Sequence, residues 1–521
     1  MCLKNIISLS DLKVNPDTIQ KYILGGICSG LFTIFIVISI PIYIFRYIVA
    51  FSAKWLRPDL SEILDPVSSL WVNDLYTGKP PRCSIIVPMT FQGQWTPEKF
   101  KQIILDKWIN AVDRKTGDLV YEKLCQYPER WLGFTFWKHS RNKFNIENHA
   151  YYHESKGNLV TSEKLNELIE KLLNAPYPPK RSLWELHYVA NYKNTQDKEM
   201  RYSSQKPMFA LILKFHHSLG DGYSFMCAVT EGLCGHSLES LKVPRPRPPE
   251  ITLKEEILKN INLLFRLLLD LPYEMGRMFE ECPWKIEDEN KAWWQLYGRS
   301  NLIPVKDIKY IKNAFGVSFA SVIVSAMSFG IHKDLEKRNN LKRRPVMSSW
   351  SALPVPRRSK KLSNCFTGTL FDMPTIGFPD PISRLQACHS ILQRTQSSSI
   401  PYGIRLHQIV VGSHLSPVCR LLSKNKMIST GLSNFPGIPI KIGINDAIGI
   451  SSDFAVGAAP GNGGKLKLTC VGVSVQSYAE YIRIAVTAEN AVMTREQVDT
   501  FIRNMLSEIH TLNTLAIAKT A

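Results

Sequence analysis

The sequence predicts an α/β protein built from two core-forming units, preceded by one membrane-spanning helix. Three observations carry this. At 521 residues the chain exceeds what one ordinary hydrophobic core holds. Strand-like and helix-like apolar patterns alternate along most of its length. A stretch near the N-terminus is long, apolar and free of charge.

That stretch is "YILGGICSGLFTIFIVISIPIYIF", residues 22–45, which runs 24 residues without a charged side chain. A bilayer core of about 30 Å needs roughly 20. The run exceeds the apolar region of ~7–15 residues in a cleaved signal peptide, so it reads as an uncleaved single-pass anchor behind a tail at 1–21. Lys4, Lys13 and Lys21 before it balance Arg46, Lys54 and Arg57 after it, so local charge leaves the orientation open. Gly25, Gly26 and Gly30 offer a place for a neighbouring helix to approach closely.

The first unit is expected at 60–242. "CSIIVPMTFQG" (83–93) and "FALILKF" (209–215) read as strands, and "EKFKQIILDKWINAV" (98–112) and "SEKLNELIEKLLNAP" (162–176) as amphipathic helices. A proline-rich break, "VPRPRPPE", opens a connector at 243–295. Its helix, "ITLKEEILKNINLLFRLLLDLP", is apolar on more than one face and suits either core packing or a membrane surface. The second unit is expected at 296–515. It holds a buried helix, "GVSFASVIVSAMSFGI" (316–331), too short in its apolar run for a second span, then a strand pair at 465–490 and a closing helix at 495–509.

Composition bounds the partners. Lys and Arg number 64 against 45 Asp and Glu, a net charge of +19, which favours anionic partners. The basic clusters at 337–344 and 357–361 suit phosphates or anionic headgroups as readily as a solvated face. No nucleic-acid-binding pattern accompanies the charge, so nucleic acid is not expected. The 11 cysteines are scattered and contain no C-x-x-C pair, so neither a disulfide framework nor a metal site is expected. No N-x-S/T acceptor occurs. Both features suit a body in reducing cytosol.

"LILKFHHSLGDGYSF" (211–225) concentrates the chemistry. His216 and His217 end a strand, so their side chains leave it on opposite faces and one alone enters a given cavity. Gly220 and Gly222 around Asp221 let the chain turn sharply into a following helix. A neutral imidazole accepts a hydroxyl proton near neutral pH and returns it later, which suits group transfer to an alcohol.

H-H-x-x-x-D-G, here His216, His217, Asp221 and Gly222, resembles the signature of CoA-dependent acyltransferases and peptide-synthetase condensation domains. "SLWE" (182–185) resembles the P-L-W-E motif of the wax ester synthase/diacylglycerol acyltransferase family, and "FNIENHAYYH" (144–153) its F-D-x-x-x-H segment. "SNFPG" (433–437) and "VTAEN" (486–490) are similar to that family's second domain. The resemblance implies two chloramphenicol-acetyltransferase-like lobes around a central tunnel. It implies His217 as general base, His216 as a packing and orienting residue, and Asp221, beside Gly222 in the turn, as holding the loop through an ion pair rather than touching substrate. Ser433 and Asn434 become oxyanion donors by the same resemblance, although S-N-x-P-G is equally turn chemistry. Trp184 and Glu185 become substrate-side residues. Acyl-CoA is expected as a substrate, with no cofactor or metal. The acceptor is a fatty alcohol or diacylglycerol drawn from a bilayer, which places the protein in a membrane of endoplasmic-reticulum type with its catalytic body facing the cytosol.

Two departures qualify the match. Ser182 stands where the family has the first Pro of P-L-W-E. "SFAS" (318–321) stands where it has an Asn-Asp pair. The second departure keeps a rival reading open, a lipid-binding protein with the same tunnel and impaired turnover. An amide-forming condensation enzyme lacks the carrier-protein context it would need.

Overall fold

The computed structural model describes residues 16–76, 83–154, 157–197, 207–243, 252–276, 284, 294–338, 346–355, 361–378, 380–396, 398–422, 428–457 and 471–520. The first part of the N-terminal tail, the proline-rich run at 244–250, most of both basic clusters and residues 465–470 lie outside the described residues.

Two mixed sheets of seven strands each form the two lobes. In the first, Met208–His216 is central, flanked by Ser84–Gln92 and Trp184–Val189, with Ala150–His153 beyond the latter. Every residue of Met208–His216 is buried, as a continuous apolar run covered on both faces demands. In the second sheet the order is Gln295–Arg299, Tyr481–Glu489, Val471–Tyr478, Thr430–Ile438, Val346–Pro354 and Phe366–Pro374. The helix Phe319–Lys337 runs under it, capped by Ser318, whose hydroxyl accepts from the Ser321 N–H at 3.1 Å. That helix is buried core and packs on Arg495–Thr520.

The lobes exchange chain. Ala447–Ser452 leaves the second lobe and pairs antiparallel with Ser84–Gln92, so the first sheet is completed by residues far beyond the connector. A buried ionic chain fastens the crossing. Arg483 bridges Asp197 of the first lobe at 2.6 Å and Asp453 of the crossing segment at 3.2 Å, and Arg299 reaches the same Asp453 at 3.2 Å.

The N-terminal stretch corrects an expectation. Residues 22–45 do not form one spanning helix. α1 (Pro16–Ile38) and α2 (Ile40–Leu56) meet at an angle of 42°, and among the described residues no single helix is long and apolar enough to cross a membrane. Pro41 causes the break, because it has no N–H to donate to the turn before it. Ser39 then uses its hydroxyl on the Phe35 carbonyl at 2.5 Å and accepts from His414 Nε2 at 2.7 Å, which docks the corner onto the segment just past the helix Ile400–Gly412. Gly25 does provide a close approach, since a side chain there would collide with the Pro272 carbonyl of the connector helix Leu253–Gly276. Gly26 and Gly30 face open space.

Candidate active site

The turn after Met208–His216 places the two histidines in different surroundings. The buried His216 ring accepts the Ser218 N–H at Nδ1, at 3.2 Å, and turns Nε2 toward the Asp74 carboxylate, 3.6 Å away. With Cys83, these residues bring three metal-ligating atoms within 4.8 Å of one another. Asp74 also accepts the Cys83 N–H at 2.9 Å.

His217 faces the junction of the lobes. Its ring stacks on Trp71 of the short helix α3 (Pro66–Val72), centroids 4.4 Å apart and planes 12° apart, and lies 5.2 Å from the ring of Phe366. Nδ1 sits 3.0 Å from Oδ1 of Asn364, a residue of the second lobe. The orientation of that amide follows from its other contacts. Nδ2 donates to the His217 carbonyl at 2.7 Å and to the Ser68 hydroxyl at 2.9 Å, and Ser68 in turn donates to Asp65 at 2.6 Å. A carbonyl only accepts, so Oδ1 must face the ring, Nδ1 carries the proton, and Nε2 is left as the basic nitrogen. Burial lowers the imidazole pKa to about 4, so it is neutral at physiological pH.

Asp221 fixes the loop from below. Its carboxylate caps Gly222–Cys227 by accepting from the Ser224 N–H and hydroxyl, both at 2.8 Å. The second oxygen accepts the Cys365 N–H at 2.8 Å. Asp221 thus grips the residue next to Asn364, and cap and tautomer clamp form one inter-lobe joint. At Gly222 the Phe435 ring of the second lobe comes within 2.9 Å of where a side chain would begin, so any larger residue must displace that ring.

Beside Gly222 a narrow apolar pocket lies between the lobes, lined by Val87, Leu213, Phe225, Met226 and Phe454 among others. Ser433 and Asn434 lie on the strand Thr430–Ile438, immediately before Phe435, and are not among the residues lining this pocket. Trp184 and Glu185 do not line this pocket. Trp184 is fully buried, stacks on His149 at 4.7 Å and donates to the Leu124 carbonyl at 2.9 Å. Glu185 lies 3.4 Å from the buried Lys214 ammonium and 3.3 Å from His187. The two motifs upstream of the histidines therefore meet as packing that sets the neighbouring strand. Ser182, the departure within them, donates to the Lys123 carbonyl at 3.1 Å.

Sequence reasoning missed Asn364, Ser68 and Trp71. Asn364 lies 147 positions from His217, and its signal is modest, a polar Ser-Asn-Cys run directly before an apolar strand.

No protein-family model matches the chain. Two curated relatives from Arabidopsis thaliana do, both wax ester synthase/diacylglycerol acyltransferases. One is 22% identical over 220 residues, covering 38% of this chain and 42% of the relative. The other is 27% identical over 168 residues, covering 32% and 29%. The chain thus spans less than half the length of the curated relatives it matches. Among solved structures, the wax ester synthase/diacylglycerol acyltransferase from Marinobacter aquaeolei superposes with a TM-score of 0.53 at 16% identity, covering 87% of this chain and 100% of that one. The trichothecene 15-O-acetyltransferase from Fusarium sporotrichioides gives 0.57 at 10% identity over 87% and 95%. The first condensation domain of the CDA synthetase gives 0.53 at 9% over 89% and 97%. At such identities these structures establish the two-lobed acyltransferase fold. By its motifs, by its sequence relatives and by that fold, the chain is similar to the wax ester synthase/diacylglycerol acyltransferases.

Proposed function

We propose that this chain transfers a long-chain acyl group from acyl-CoA to the hydroxyl of a fatty alcohol or diacylglycerol, making a wax ester or triacylglycerol. The observation that carries the reading is a buried, neutral imidazole whose Nδ1 is held by Asn364 of the second lobe, leaving Nε2 as its basic nitrogen. His217 Nε2 takes the alcohol proton as the oxygen attacks the thioester carbonyl. The tetrahedral intermediate collapses, the carbon–sulfur bond breaks, and the imidazolium returns the proton to the CoA sulfur. Proton and charge balance, so no metal or further cofactor is called for. Ser433 and Asn434 are the proposed donors to the oxyanion.

The apolar N-terminal helices suit a bilayer. Ile23, Ile27, Leu31 and Ile34 on α1, Ile44, Ile48 and Phe51 on α2, and Ile257, Ile261 and Phe265 on the connector helix are all exposed. We take the bent pair as the anchor, in a membrane of endoplasmic-reticulum type, with the catalytic body on the cytosolic side where acyl-CoA is available. One observation favours the rival lipid carrier. Ser318 and Ser321, which replace the family's Asn-Asp pair, are used in capping their helix.

The test is acyl transfer from labelled palmitoyl-CoA to hexadecanol, diacylglycerol and a sterol, in membranes carrying wild type or His217→Ala. Product from wild type alone supports the transferase and names the acceptor. Lipid binding without product supports the carrier.

A further inference from the structure

The hydrogen bonds that reach the His217 ring run in one direction, and the direction starts at Asp65. This residue caps α3 by accepting the Ser68 N–H at 2.9 Å with one carboxylate oxygen, and it accepts the Ser68 hydroxyl at 2.6 Å with the other. A carboxylate only accepts, so the hydroxyl spends its single proton on Asp65 and has lone pairs alone to offer Asn364. Nδ2 of Asn364 fills that place at 2.9 Å, which leaves Oδ1 for the His217 ring, 3.0 Å away. Ser68 and Asn364 are both buried, so these donors and acceptors are matched within the protein. The start of the chain is tied to α2, whose Arg46 donates to the Leu64 carbonyl at 2.5 Å, one residue before Asp65.

We propose that Asp65 is a positioning residue for the transfer reaction: its carboxylate sets the direction of the chain Asp65–Ser68–Asn364–His217, and so keeps the ring proton on Nδ1 and the basic lone pair on Nε2. It acts through two other residues. The inference rests on the acyl-transfer reading for what the ring does, whereas the tautomer it assigns rests on the hydrogen bonds alone. Asn364 has a second reason to face this way, because Nδ2 also donates to the His217 carbonyl at 2.7 Å. Removing one of two agreeing constraints should therefore reverse the chain in a fraction of the molecules.

Asp65→Asn isolates the effect. Asparagine caps helices as well as aspartate, so α3 keeps its start. Its oxygen takes the Ser68 N–H, and its amide nitrogen then meets the Ser68 hydroxyl as a donor. The hydroxyl turns its proton toward Asn364, the Asn364 amide turns over, and Nδ2 donates to His217 Nδ1. The ring then carries its proton on Nε2, where it cannot take one from an alcohol.

The test uses the full chain in phosphatidylcholine vesicles, labelled with nitrogen-15 at histidine. Solid-state NMR reads the His217 tautomer, and loss of a signal in His217→Gln identifies it. Wild type should be protonated on Nδ1, and Asp65→Asn should show a mixture of the two tautomers. Turnover of palmitoyl-CoA with hexadecanol should fall in proportion to the share lost, by about 2- to 10-fold in kcat with KM for palmitoyl-CoA little changed. Ser68→Ala cuts the chain while the His217 carbonyl still orients Asn364, so it should keep the Nδ1 tautomer. Adding Asp65→Asn to Ser68→Ala should then change neither tautomer nor kcat. An Nδ1-protonated ring in Asp65→Asn, or a loss of turnover that persists on the Ser68→Ala background, would overturn the proposal. So would a wild-type ring protonated on Nε2. Absence of transfer even in wild type would count against the acyl-transfer reading, and the tautomer spectra would still decide this one.

Discussion

The side-chain oxygen of Asn364 stands 3.0 Å from Nδ1 of His217, and its amide nitrogen stands 2.7 Å from the same residue's carbonyl. The residue therefore grips the histidine at two points, and the grip comes from the opposite lobe. Asn364→Ala should free the ring to adopt either tautomer and either rotamer. Loss of the group that orients a catalytic imidazole costs up to about 10⁴ in turnover in other enzymes, and we expect at least roughly 100-fold here. The fall should appear in kcat, with KM for acyl-CoA little changed. Wild-type kcat in a folded Asn364→Ala protein would remove Asn364 from the machinery.

Burial sets the working pH of the same ring. The basic form of His217 is the neutral one, and its pKa is lowered to about 4, so kcat/KM should stay level from neutral pH down past the ordinary imidazole value of ~6.5. Its acid limb should appear only near pH 5 or lower. Stability behaves differently. His149, His153 and His187 are also lowered by burial, so like His217 they bind protons in the unfolded chain before they do in the folded one. Their contribution is fully present above the unfolded value and is lost as pH falls from ~6.5 toward the folded values. The melting temperature should drop over that interval while activity per folded molecule holds. An acid limb of activity at pH 6.5 with no change in melting would contradict both assignments.

What was legible in the sequence was whatever lay in local patterns. Alternation located the strand Ser84–Gln92, and continuous apolar runs located the strand Met208–His216 and the helix Phe319–Lys337, because the burial of each follows from its own residues. The two adjacent histidines do lie in different surroundings, but the strand stops at His216 and His217 belongs to the turn after it, so pleat geometry does not set their directions. Pairings set by tertiary structure were not legible. The strand Ala447–Ser452 belongs to the sheet of the other lobe, a choice no local periodicity encodes. Asn364 reaches His217 only because Asp221 holds Cys365. The bend at Ser39 was misread because hydropathy is blind to the missing N–H of Pro41 within an apolar run.

Glu185 and Lys214 test the upstream motif as structure. Lys214 has a fully buried side chain, with Nζ 3.4 Å from Glu185 and 2.8 Å from the Ala175 carbonyl, and lies two residues before His216 on the same strand. Glu185→Gln removes its counter-charge. Breaking a buried pair from one side typically costs about 3–5 kcal/mol, since the remaining charge is stranded. Thermal unfolding should show that loss. Glu185→Gln combined with Lys214→Met should recover much of it, because no charge is then left inside. A single variant as stable as wild type would mean that the ammonium is neutral or served by other groups.

Gly222 and Phe435 set the width of the pocket mouth. Gly222 is the first residue of its helix and is not among the glycines with left-handed backbone angles, so Gly222→Ala should not strain the backbone. The added methyl would begin 2.9 Å from the Phe435 ring, closer than packed carbons tolerate. The ring must swing, and the free space it can take is the apolar pocket beside Gly222. We expect Gly222→Ala to shift acyl-chain preference from long toward short, with little change in melting temperature. Gly222→Ala with Phe435→Leu returns volume and should restore the long-chain preference. If chain preference is the same in all three proteins, the long chain does not pass between these two residues, and the pocket beside them is not its seat.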